Sequence, residues 1–340
     1  MDTRTTAGPA TPTTPRDSTS GLRLRPYAGE RDLAEIVRLE NAEAEADGLQ
    51  ERVTLEGETT FFAHPNDKFD PGRDVTIAEV DGRPIGVGFR NWVETTDGFN
   101  EYRINGAVDP AWRRRGVGTA LVAENLRRMR ELAVGHDVPP ERKVLGSWTG
   151  DSQPGAAAVL SAAGFAPIRW FFLMTRPTLD DVPDLALPEG LEIRPVTEAN
   201  VRAVWAADIE SFRDHWGGFD GSEVMFQRWM ANPHTDLSLW LAAFDGDEVA
   251  GGVLNAIDPD ENEALGVSRG WLHSVFTRRP WRRRGLAAAL IVRSLDLLRE
   301  RGMTSGILGV DAENPSGALG LYERLGFVVS YRSTAWRRAL

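Results

Sequence analysis

The chain repeats itself, and this constrains its fold more than any other feature. Gly21-Leu22-Arg23-Leu24-Arg25-Pro26 returns as Gly190-Leu191-Glu192-Ile193-Arg194-Pro195, 169 residues later. Ala111-Trp112-Arg113-Arg114-Arg115-Gly116-Val117-Gly118 returns as Pro280-Trp281-Arg282-Arg283-Arg284-Gly285-Leu286-Ala287, again 169 residues later. Between them Asp81-Gly82 is matched by Asp245-Gly246, and Gly164-Phe165 near the end of the first copy is matched by Gly326-Phe327. Four landmarks in one order indicate duplication of a whole domain, and 340 residues suffice for two. The copies span 21–176 and 190–340. The Pro- and Asp-rich segment at 177–189 is predicted to link them.

Each copy alternates periods in a similar way. Leu22-Arg23-Leu24-Arg25 and Leu191-Glu192-Ile193-Arg194 read as opening strands, each leading into helix. Turns at Asp81-Gly82 and Asp245-Gly246 predict hairpins. A further strand, Tyr102 to Val108 or Trp271 to Thr277, runs into the arginine-glycine loop. After the loop Val122, Leu126, Met129 and Ala133 share one helical face, as do Ile291, Leu295 and Leu298. A late strand, a last helix and Gly-Phe close the unit. The expected class is α+β, with two tandem domains, each a mixed central sheet flanked by helices.

Composition narrows the partners. Apolar residues make up 41% and charged residues 26%, a globular balance, and no window approaches the roughly 18 apolar residues of a membrane span. Residues 1–20, rich in Thr, Pro and Ser without an apolar stretch, are expected to form a disordered tail rather than a secretory signal. With no cysteine there is no disulfide, thiolate metal site or cysteine nucleophile, and a cytoplasmic location is expected. A formal charge of −11 argues against nucleic acid and anionic membrane as partners. The basic residues gather at Arg113 to Arg115 and at Arg278 to Arg284, which suits a small anionic ligand.

The loop at Arg282-Arg283-Arg284-Gly285-Leu286-Ala287-Ala288 lies between a strand and a helix. Consecutive backbone N–H groups and a helix N-terminus there favour phosphate oxygens, and flanking arginines add forked donors. A basic turn that only caps a helix is the plainer alternative; the repeat and the preceding strand favour the anion site. There is no GxxxxGK[ST] for a nucleotide hydrolase, no third glycine after Gly116-Val117-Gly118 for a dinucleotide fold, and no HExxH for a zinc site, so no metal is expected.

Arg282 to Ala287 resembles the R/Q-x-x-G-x-G/A pyrophosphate loop of GNAT acetyltransferases. Asn314-Pro315-Ser316-Gly317-Ala318-Leu319-Gly320-Leu321-Tyr322-Glu323-Arg324-Leu325-Gly326-Phe327 resembles that family's late N-x-x-A-x-x-L-Y-x-x-x-G-F signature. The likeness covers nearly all of the chain after the tail, and the tandem arrangement is similar to that of the mycothiol synthase group. It implies acetyl-coenzyme A as donor, a small-molecule primary amine as acceptor, and direct attack in a ternary complex. It implies further that Tyr322 protonates the leaving thiolate, that Asn314 holds the pantetheine or caps its helix, and that the backbone of Val275, Phe276 and Thr277 holds the pantetheine and polarises the carbonyl.

The base is open. His273 has a suitable intrinsic pKa and, by strand alternation, shares the face of Val275; a histidine satisfied within the sheet is the alternative. The family's glutamate in this strand has no counterpart here, because its place falls near Trp271. Glu261 and Glu263 read as solvated loop charges, and water is a further proton route. For the acceptor pocket the candidates are Glu210 and Asp214, which could attract a cationic amine, and Trp271; exposed helix charge is the simpler reading of the two acids. Transfer to oxygen, a longer acyl chain, and a non-catalytic acyl-coenzyme A-binding module stay open as alternatives.

The two Gly-Phe pairs lie 162 residues apart, which sets Tyr322 opposite Leu160 and Asn314 opposite Ser152. The first copy thus lacks the candidate acid and asparagine but keeps Arg113, Arg114, Arg115, Gly116, Val117 and Gly118. It reads either as a domain that binds acyl-coenzyme A without catalysing, or as a structural partner that shapes the acceptor cleft.

Overall fold

The computed structural model describes residues 21–49, 51–213, 215–217, 220–314 and 317–340. The expected tail, the acceptor candidate Asp214, and Pro315 and Ser316 of the late signature lie outside the described residues. The first repeat runs β1 (Arg23–Pro26), α1 (Glu30–Asp47), α2 (Leu55–Phe62), α3 (Pro71–Asp74), β2 (Val75–Val80), β3 (Arg83–Glu94), β4 (Asn100–Val108), α4 (Val117–Val134), β5 (Lys143–Gly150), α5 (Pro154–Ala162) and β6 (Ala166–Arg176). The second runs β7 (Glu192–Pro195), α6 (Val201–Ser211), α7 (Glu223–Ala231), β8 (Trp240–Asp245), β9 (Glu248–Ala256), α8 (Pro259–Leu265), β10 (Arg269–Thr277), α9 (Leu286–Glu300), β11 (Ser305–Asp311), α10 (Ala318–Arg324) and β12 (Val328–Ala339).

All twelve strands among the described residues join one sheet in the order β1-β2-β3-β4-β5-β12-β6-β11-β10-β9-β8-β7. The last strands are exchanged: β12 of the second repeat lies between β5 and β6 of the first, while β6 lies between β12 and β11. Each repeat therefore completes its sheet with a strand of the other. Most neighbours are antiparallel, but β4–β5 and β10–β11 are parallel, so the sheet is mixed.

Helices cover both faces. The stripe predicted for α9 is buried: Ile291, Leu295 and Leu298, with Leu290 beside them, are fully covered and pack on Leu272, Leu308 and Val310. Each such side chain contributes about 1.5–3 kcal/mol by leaving water. On the opposite face α6 and α7 bury Val204, Trp205 and Phe226 against Trp240, Leu254 and Phe276. The segment 177–189 is packed rather than loose. Leu179 is buried among the α9 residues, Val182, Leu185 and Leu187 lie against them, and Arg299 donates to the Leu179 carbonyl at 3.0 Å.

The stretch Pro259–Leu265 is helical, not a loop. The Asp258 carboxylate caps α8 by accepting from the Glu261 N–H at 2.9 Å, and Pro259 occupies the first turn. Glu261 consequently points inward. It is 4% exposed and accepts from the Arg269 guanidinium at 2.7 Å and the Trp271 indole at 2.8 Å. The reading of Glu261 as a solvated charge is thus corrected, because the arginine that pairs with it lies on β10; Glu263 is exposed, as expected.

Candidate active site

The two arginine-glycine loops share one backbone course. Arg114 and Arg283 both have φ 62°, and Gly116 and Gly285 follow with φ 82° and 85°. These left-handed values suit glycine, and they aim successive N–H groups at one place. Gly285 caps the start of α9 without any side-chain hydrogen bond, so the first-turn donors of α9 have no side-chain cap. A Cβ at Gly285 would meet nothing within 4 Å, so space lies open in front of the loop.

Beside the loop the sheet splits. Pairing between β10 and β11 stops at Trp271–Ile307, although β10 continues to Thr277 and β11 to Asp311. The gap opens into a cavity of about 570 Å³. Its walls are Val275, Phe276 and Thr277 of β10, Arg282, Arg283, Gly285, Leu286, Ala287 and Ala288 at the start of α9, Asn314 and Tyr322 on the far side, and Ser211, Phe212, His215 and Trp216 above. The Thr277 hydroxyl is buried without a hydrogen-bond partner among the described residues. Candidates scattered over forty-odd residues of sequence therefore line one space. Arg284 lies outside that lining and donates to the Glu189 carbonyl at 3.4 Å.

Tyr322 projects from α10 and is 6% exposed, with its ring edge-on to Phe327 at 6.0 Å. Burial pushes its pKa up to about 12, which keeps the phenol protonated and able to donate at neutral pH. On the opposite wall β10 carries a bulge between Leu272 and Ser274, centred on His273. The bulge corrects the alternation argument. Leu272 and Val275 both pack toward the α9 core, whereas Ser274 and Phe276 face α6. His273 stacks on Trp271 at 5.1 Å and 6°, away from the face of Val275. The residue is exposed, yet desolvation by the protein around it, only partly opposed by the Glu261 and Asp258 carboxylates, holds its pKa below the ordinary histidine value.

Neither Trp271 nor Glu210 lines the cavity. Trp271 is 8% exposed, tied to Glu261, and Glu210 pairs with Arg278 at 2.9 Å. Sequence reasoning missed Asp311, which lines the cavity and is neutralised by Arg169 of β6 at 2.8 Å. No local signal could show that pair, since it depends on the strand exchange. The first repeat also holds the upper wall in place: Thr96 donates to the His215 carbonyl and Arg103 to the Gly217 carbonyl, each at 2.5 Å, and Trp216 lies under Arg169 of β6, with Arg337 of the second repeat's β12 beside it.

The corresponding loop of the first repeat is differently occupied. Asp47 of α1 grips Arg113 through two hydrogen bonds of 2.6 and 2.8 Å, and Glu43 accepts from the Val108 N–H at 3.3 Å. Carboxylates thus hold the arginine and the strand end there, while the first turn of α4, like that of α9, has no side-chain cap. Leu160, opposite Tyr322 in the repeat, is a buried core residue.

The profile of the acetyltransferase (GNAT) family matches residues 33–138 and 201–327. A mycothiol acetyltransferase of Geodermatophilus obscurus is 29% identical over 273 residues, covering 79% of this chain and 83% of its own. A GCN5-related N-acetyltransferase from Sphaerobacter thermophilus superposes with a TM-score of 0.69 at 26% identity, over 94% of this chain and 96% of its own. A tandem GNAT protein of the clavulanic acid biosynthesis pathway shares the fold at 17% identity, with a TM-score of 0.69 over 93% and 98% of the two chains. No helix among the described residues is long and apolar enough to cross a membrane.

Proposed function

The chain belongs to the acetyltransferase (GNAT) family, and from that premise we propose that it transfers an acetyl group from acetyl-coenzyme A to a primary amine of a small molecule, by direct attack in a ternary complex. It is an acyltransferase of tandem arrangement. The observation that carries the finer reading is the convergence of an uncapped helix start, a split strand edge and a protonated tyrosine on one cavity. The name borne by its relatives, mycothiol acetyltransferase, supports a small-molecule acceptor.

The cavity residues fit such a donor: the anion site lies at one end, a slot with the unpartnered Thr277 hydroxyl lies beside it, and small Ala287 and Ala288 line the approach. When bound, acetyl-coenzyme A would supply a thioester. Arg282, Arg283 and the N–H groups of Gly285 to Ala288 would hold its diphosphate, with Arg284 adding charge from outside. Val275 to Thr277 and Asn314 would hold its arm. Tyr322 would donate a proton to the departing sulfur. His273, held neutral, would take a proton from the ammonium form of the acceptor before it enters the cavity, whose lining includes neither His273 nor Trp271 nor Glu210.

In this reading residues 190–340 form the catalytic domain and 21–176 a non-catalytic one. Gly116→Val is therefore expected to leave kcat within about twofold of the parent. Steady-state rates below the melting temperature check it; a marked fall in kcat with the fold intact would make the first loop a working part of the enzyme.

A panel of primary amines and matching alcohols, incubated with acetyl-coenzyme A while free thiol and product mass are followed, tests the proposal. Thiol release with an acetylated amine is expected. Release with alcohols alone would replace it with O-acyl transfer, and tight binding without release would replace it with a binding module.

A further inference from the structure

Asp208 of α6 is completely buried, with 0% of its surface exposed. One carboxylate oxygen accepts from the Ser274 hydroxyl at 2.5 Å, and the other is buried with no hydrogen-bond partner among the described residues. A wholly buried carboxylate with an idle oxygen is costly and calls for a reason. Its placement offers one. Ser211 and Phe212, three and four residues further along the chain from Asp208 and so on the same helical side, line the cavity. Ser274 directly follows the bulge at His273 and does not itself line the cavity, but Phe276, which faces α6 as Ser274 does, is one of its walls.

The duplication supplies an internal control. At the 169-residue spacing, Asp208 falls opposite Leu39, a fully buried core residue of α1, and Ser274 falls opposite Asn105. The β3–β4 register of the first repeat is continuous through Asn105, with no bulge. The position thus tolerates an apolar side chain in this fold. The repeat that carries the tyrosine instead has a buried acid and a bulge.

Proton balance requires an acceptor for a second proton. An ammonium acceptor that becomes an amide loses two protons, while the sulfur gains one. Resting on the transfer reaction proposed above, we propose that Ser274 is a catalytic residue and Asp208 the positioning residue behind it, together taking the second proton as the nitrogen–carbon bond forms. In that step the acceptor N–H proton passes to the Ser274 oxygen, and the Ser274 proton passes to Asp208. The carbon–sulfur bond breaks, the sulfur receives the Tyr322 proton, and the phenolate regains a proton from Asp208 through Ser274 and water before the next turnover. The first proton leaves earlier through His273 to water. Burial, partly offset by the Ser274 hydrogen bond, raises the Asp208 pKa to about 7, a value suited to accepting a proton and returning it.

Asp208→Leu, Asp208→Asn and Ser274→Ala test the assignment. Asp208→Leu removes a buried, half-satisfied acid and is expected to keep or raise the melting temperature of the ligand-free protein. It should lower kcat by roughly 10²-fold, with acetyl-coenzyme A affinity within about twofold. Asp208→Asn, which still accepts from Ser274 but takes no proton, should lose a similar factor. Ser274→Ala should match both, and the Asp208→Asn/Ser274→Ala double variant should be no worse than either single one, as for residues acting as a unit. Parental kcat in a folded Asp208→Leu or Asp208→Asn variant would overturn the proposal, as would additive losses in the double variant. Absence of thiol release in the parent protein would instead overturn the transfer reaction itself.

Discussion

Tyr322→Phe is expected to lower kcat by about 10²-fold or less, at the low end of what a general acid contributes. The substitution keeps the ring and its edge-on packing against Phe327 at 6.0 Å, so the melting temperature should barely change. It removes only the hydroxyl, which has no hydrogen-bond partner among the described residues and whose pKa burial raises to about 12. A phenol so placed holds its proton at neutral pH and releases it only to a stronger base, which a departing thiolate becomes as its bond to carbon lengthens. The loss is modest because a thiolate already leaves readily. The measurement is kcat with chemistry rate-limiting, beside acetyl-coenzyme A affinity by calorimetry. Unchanged kcat would reduce Tyr322 to packing and leave water as the proton donor.

Gly285→Val should abolish most of the acetyl-coenzyme A affinity, by about 10²-fold. The residue sits at φ 85°, where a β-branched side chain costs about 1–3 kcal/mol. Its Cβ would project into the open space before the loop, where a phosphate must approach the N–H groups of α9. Losing one or two charge-assisted hydrogen bonds, at about 1.5–3 kcal/mol each, accounts for the factor. Gly285→Asn separates the two causes, since asparagine accepts the left-handed backbone while still adding bulk. If both variants fold and bind as the parent does, the diphosphate does not lie at this loop.

Much of the cavity was legible because its parts are local. A run of arginines before a glycine, set between a strand and a helix, carries its own backbone geometry, and the matched φ values at Arg114 and Arg283 show both copies obeying it. The stripe of α9 and the place of Tyr322 before Gly326-Phe327 are likewise short-range patterns. What escaped depends on long-range pairing. The exchange of β6 and β12 leaves no local mark, because each strand would satisfy the same alternation beside either neighbour. The Arg169–Asp311 pair follows from it and was hidden with it. Glu261 looked like any acid in a polar stretch until Arg269 and Trp271 closed over it. The bulge at His273 shifted every later side chain of β10 by one place, which defeats an alternation argument carried across it. The carboxylates of Asp47 and Glu43 around Arg113 and Val108 could not be foreseen from a loop whose sequence is nearly that of its partner.

The central claim is direct transfer between two substrates held together at the second repeat. The chain has no cysteine to carry an acyl group, and Tyr322 lines the same cavity as Val275 to Thr277 of β10. Initial rates of thiol release, measured while acetyl-coenzyme A and the acceptor amine are both varied, test it most directly. Intersecting reciprocal plots are predicted, with no acetylated protein by mass spectrometry when the amine is omitted. Parallel plots together with a trapped acetyl-enzyme would contradict the account and require a nucleophile on the chain instead.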